Sequence, residues 1–126
     1  MKQAINRPIY LDLMKIRQPV TAVVSILHRF SGVLLVLLLP LLVYAFDLSL
    51  RNAAGFRQIS SLLQGDPVKW LGIVLTWMLA HHLFAGVRFL LLDFHVGIAK
   101  ASARRSAWLV HAGAAIVAML TMGAIL

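Results

Sequence analysis

The sequence contains no cysteine. Disulfides, zinc thiolates and iron–sulfur clusters ligated by this chain are therefore excluded. Any metal chemistry falls to its five histidines. Charge is scarce too: 13% of residues are charged, against roughly 25% in an average soluble domain. Four acidic residues face twelve Lys and Arg, and no carboxylate lies deep within an apolar run. A small transporter would want one there. Repeats and low-complexity segments are also missing.

What is abundant is apolar surface. The chain is 61% hydrophobic, with a mean hydropathy of +0.89. That excess implies an all-α membrane protein. The 126 residues form a single transmembrane domain, with room for about three spans at ~20 residues each. A net charge of +8 on a soluble protein would suggest nucleic acid. Here Lys and Arg instead mark cytoplasmic loops and touch anionic headgroups, so no nucleic-acid partner is expected.

Residues 1–19 read as a short amphipathic surface segment carrying Arg7, Lys15 and Arg17. They are polar for too long to be a secretory signal. Pro19 favours a first helical turn. The first span is expected at about 20–46, with Pro40 kinking it. Residues 47–67 form an exposed connection with room for a short surface helix. The second span is expected at about 68–92, a basic loop at 94–106 and the third span at 107–126. The third is rich in Gly and Ala, which suits close helix packing. Positive charge concentrates in the N-terminal segment and in Lys100, Arg104 and Arg105. In the first connection, Asp47 and Asp66 nearly offset Arg51, Arg57 and Lys69. The N-terminus is then cytoplasmic and the C-terminus lies outside.

Two polar constellations interrupt the apolar runs. The first is "SILHRFSG", residues 25–32, in which Ser25, His28 and Arg29 follow helical spacing. Ser25 bonding back to its backbone and Arg29 anchoring headgroups are the ordinary readings. Together they offer donors to a small polar ligand in an apolar wall, such as a quinone head group. The second is "WMLAHHLFAGVRFLLLDF", in the second span. His81 and His82 diverge by about 100°, so only one can face a given iron. Neutral imidazole is a haem ligand, although a hydrogen bond to another helix is equally ordinary. Ala85 and Gly86 would let a flat macrocycle lie beside His82. Ten residues separate His82 from Leu92, about 15 Å along the helix, which leaves haem propionates within reach of His28 and Arg29. Arg88 has no acid one turn away and is read as snorkelling to the headgroups or being paired. His111 is assigned a buried hydrogen bond and His95 to solvent. No second axial ligand is evident, so a six-coordinate haem needs a histidine from another subunit.

The run from Arg7 to Ser31, "RP-I-…-SILHRFS", resembles the N-terminal signature of the cytochrome b556 membrane-anchor subunit of succinate dehydrogenase. The segment "HLFAGVRFLLLD", His82 to Asp93, resembles the second signature of that family. Leu92 departs from it, since an aromatic residue or Met is expected before the Asp. The resemblance spans essentially the whole chain. It implies that His82 is an axial ligand of haem b and that a companion anchor supplies the other ligand. The chain is then half of a heterodimeric haem-binding bundle. It further implies that His28 and Arg29 lie at the propionates, that Ser25 and Arg29 line a ubiquinone pocket, and that Asp93 aids proton entry. Partners would be the second anchor, an iron–sulfur subunit and a flavoprotein that oxidises succinate, all at a bacterial inner membrane. The competing reading is a structural membrane anchor that docks soluble partners and binds no cofactor.

Overall fold

The computed structural model describes residues 17–126, all helix and short connections. The expected surface segment at 1–19 lies almost entirely outside the described residues. The helices are α1 (Val20–Arg51), α2 (Ala53–Leu63), α3 (Asp66–Asp93) and α4 (Lys100–Ile125). Among them α1, α3 and α4 are long and apolar enough to cross a membrane. The protein is thus an all-α, multi-pass membrane protein.

Local chemistry sets the helix ends. Pro19 sits extended before α1, and its carbonyl accepts from Ala22 N at 2.9 Å and Val23 N at 3.2 Å. At 32 residues and ~1.5 Å per residue, α1 is about 48 Å long, so it overruns a bilayer core of ~30 Å. Its far end is accordingly polar: Arg51 donates to Asp47 at 2.6 and 2.8 Å, one turn away and exposed. Asn52 then ends α1 and begins α2, its Oδ1 accepting from Gly55 N at 2.8 Å. Gly55 is required there, because a Cβ would run into the Leu48 carbonyl of α1. Pro67 occupies the first turn of α3, where its missing N–H costs nothing. The α3–α4 turn is tight, with His95 at φ 63° and Gly97 at φ 77°. Residues Lys100–Ser106, expected in a loop, are already helical.

Small side chains bring the helices together. Val24 of α1, Ala85 of α3, and Ala107 and Val110 of α4 form the buried cluster, flanked by Val20, Phe84 and Phe89. Without a hydrophobic drive inside lipid, such close approach supplies association through van der Waals contact. The most apolar stretch of α1 has none of its residues buried within the chain. Val36, Leu37, Leu41, Leu42 and Val43 there face outward, onto lipid or another subunit.

Candidate functional site

The site is built where α1 crosses α3. The rings of His28 and His82 stack with centroids 4.1 Å apart and planes 9° from parallel. Two glycines make room. Gly86 faces His28, and a Cβ there would lie 3.5 Å from His28 Nε2. Gly32 faces His82, and a Cβ there would lie 3.0 Å from His82 Cε1.

His82 Nδ1 is 3.1 Å from the His28 carbonyl oxygen and 3.1 Å from Ser31 Oγ. Ser31 Oγ donates to the same carbonyl at 3.0 Å. These contacts decide the tautomer. A carbonyl oxygen only accepts, so Nδ1 must carry the proton and share it between that carbonyl and the serine oxygen. Nε2 therefore keeps its lone pair. Among the described residues the buried, unpaired side-chain atoms are both ring nitrogens of His81. Among the described residues His82 Nε2 thus has no hydrogen-bond partner, and it is not sealed inside them.

The neighbouring histidine differs. His81 is 1% exposed, packed between Trp77 at 5.6 Å and His111 at 5.1 Å, on the α4 side of the bundle. The two histidines, between which sequence spacing gave only a weak preference for His82, thus occupy opposite surroundings. His111 packs on His81 and Trp108 through its ring.

Three expectations need correction. First, Ala85 and Gly86 do not form an open bed beside His82. Ala85 is fully buried in the helix cluster, and Gly86 lies under His28. Second, Arg88 does not snorkel. It is 6% exposed; Nε donates to Ser106 Oγ at 3.0 Å and Nη2 to the Ala103 carbonyl at 3.2 Å. Its guanidinium also sits 5.4 Å from the Phe89 ring centroid. The residue clamps α3 to α4 near the start of α4. Third, Ser25, His28 and Arg29 keep their helical spacing but meet different surroundings. His28 turns inward to α3, whereas Arg29 is exposed and Ser25 half-buried. A turn of ~100° per residue separates His28 from Arg29. This chain therefore presents two surfaces: a histidine pair at the α1–α3 crossing, and Ser25 with Arg29 beside it. A separate cavity of about 630 Å³ is lined by Arg17, Lys100, Arg104, Trp108 and His111 among others, without Ser25, Arg29 or His82.

Ser31 was within the quoted motif but carried no assigned role. Its partner His82 is 51 residues away. Nothing in local spacing joins the two.

Residues 3–121 match the family described as succinate dehydrogenase/fumarate reductase transmembrane subunit. Curated relatives include the succinate dehydrogenase cytochrome b556 subunit of Coxiella burnetii. It is 37% identical over 91 residues, covering 70% of this chain and 71% of the relative. The subunit of the same name from Paracoccus denitrificans is 31% identical over 121 residues, covering 93% and 90%. With three apolar helices, a family match over nearly its whole length and relatives of this name, the chain belongs to the transmembrane subunits of succinate dehydrogenase and fumarate reductase.

Proposed function

We propose that this chain is the haem b- and ubiquinone-binding membrane anchor of a succinate dehydrogenase, with His82 as an axial ligand of the haem iron. The observation that carries the reading is the contact of His82 Nδ1 with the His28 carbonyl, from which the tautomer follows. A metal-bound imidazole characteristically donates its other ring N–H to a carbonyl or similar acceptor. His82 has that arrangement: Nδ1–H is held by the His28 carbonyl and Ser31, and Nε2 is left open. His81, enclosed by the chain's own α3 and α4, does not. The donor set therefore fits haem. The group when bound supplies one-electron chemistry.

The remaining roles fall to this chain's own residues. In this reading His28 and Arg29 are the donors to the haem propionates, a role that suits charge-assisted donors. Exposed Arg29 and half-buried Ser25 form this chain's share of the quinone pocket. Ser25 hydrogen-bonds a quinone carbonyl. Arg29 stabilises charge developing on the quinone oxygen, an effect strengthened in a site of lowered dielectric. The exposure of Arg29 and the partial exposure of Ser25 suit a pocket that other subunits complete. Those are an iron–sulfur subunit and a second anchor that also donates the other haem ligand. Succinate is oxidised in a flavoprotein partner. The chain lies in a bacterial inner membrane with its N-terminus cytoplasmic.

The test uses the purified complex. His82→Ala is expected to abolish the reduced-minus-oxidised b-type spectrum; an unchanged spectrum refutes the ligand assignment. Ser25→Ala, Arg29→Ala and Arg29→Lys are expected to impair quinone reduction while sparing succinate oxidation by a soluble artificial acceptor. An ammonium lacks the planar fork of donors, so lysine does not rescue. Quinone reduction at the wild-type rate in these variants refutes the pocket.

A further inference from the structure

We propose that Ser31 is a positioning residue for haem, setting the orientation and electron donation of the His82 imidazole. This rests on His82 being the ligand. Ser31 is 4% exposed, on the face of α1 that meets α3. A helical serine donating back to the carbonyl three residues earlier is ordinary. Here the bond to the His28 carbonyl, at 3.0 Å, does something more. It commits the only hydroxyl proton, so the lone pairs of Oγ point at His82 Nδ1, 3.1 Å away. The His28 carbonyl lies at the same 3.1 Å from that nitrogen. One ring N–H is thereby gripped by two acceptors from one turn of α1.

Three consequences follow. The competing tautomer would set the Nδ1 lone pair against the carbonyl oxygen, so it is disfavoured. The ring cannot rotate about its Cβ–Cγ bond without losing both acceptors. Hydrogen bonding at Nδ1–H also makes Nε2 a stronger donor to iron, which favours the oxidised metal. Gly32 completes the arrangement by letting the ring sit this close to α1. Ser31 touches neither iron nor quinone in this reading; it acts through His82.

The experiment compares Ser31→Ala, Ser31→Cys and Ser31→Thr in the assembled complex, with His82→Ala alongside. The readouts are haem retained per complex during dilution and the midpoint potential from spectroscopic titration. Ser31→Ala is expected to weaken haem binding about 10- to 100-fold and to move the potential upward, with the b-type band retained. Ser31→Cys, nearly isosteric but a weak acceptor, moves the potential the same way, so the result does not depend on the alanine variant assembling. Ser31→Thr keeps the hydroxyl and restores wild-type values. Unchanged potential and retention in both Ser31→Ala and Ser31→Cys overturn the proposal. If His82→Ala loses haem in that same experiment, the ligand assignment survives and only the role of Ser31 fails. If His82→Ala keeps its spectrum, the ligand assignment itself has failed.

Discussion

Replacing Gly32 by alanine probes the site without touching a polar atom. The new Cβ would stand 3.0 Å from His82 Cε1, 3.6 Å from Nδ1 and 4.0 Å from Nε2. Carbon atoms in favourable contact sit at ~3.5–4.0 Å, so the ring must retreat by about 0.5 Å or more. Retreat from α1 stretches the two 3.1 Å contacts at Nδ1 beyond useful hydrogen-bond length. Each neutral hydrogen bond contributes about 0.5–1.5 kcal/mol. The overpacking itself costs about 1–3 kcal/mol. In the opposite direction, alanine favours a helix over glycine by about 1 kcal/mol. The losses outweigh the gain, leaving a net destabilisation of about 1–5 kcal/mol with the ring displaced. Haem content per assembled complex should fall and its reduced spectrum should shift. Wild-type haem content and an unshifted spectrum in Gly32→Ala would refute the packing of His82 against α1.

Two further outcomes follow from the same geometry. His81→Leu removes two buried ring nitrogens without hydrogen-bond partners and substitutes apolar volume, which can be neutral or stabilising; the complex should keep its haem spectrum and its unfolding midpoint in detergent, and loss of the spectrum would show that the wrong histidine has been assigned. Ser106→Ala leaves Arg88 Nε without its 3.0 Å partner inside the bundle, a loss of about 1–3 kcal/mol, seen as a lower midpoint for detergent-induced unfolding; an unchanged midpoint would show that Arg88 does not clamp α3 to α4.

The sequence revealed the spans readily, because apolar runs of this length have few other uses. The polar run at 47–67 likewise marked the connection in which the structure places the short helix α2. The internal contacts were harder to read. A membrane helix is apolar all round, so periodicity does not say which face meets which neighbour. That is why Ala85 and Gly86 were read as a bed for a cofactor, when they are where α3 meets α4 and α1. It is also why Arg88 was left between snorkelling and pairing: its partners, Ser106 and Ala103, lie beyond a turn, on another helix. Spacing alone favoured His82 over His81 only weakly, for the same reason. Only the rotation of α3 against α1 and α4 places one ring in the interior and the other beside Ser31.

The most direct measurement is a high-resolution density map of the assembled complex. The account predicts a metal ring bonded at the Nε2 atom of His82, with Nδ1 on Ser31 and the His28 carbonyl. Iron held by another residue, or an imidazole at position 82 turned to lipid with no metal nearby, would contradict it.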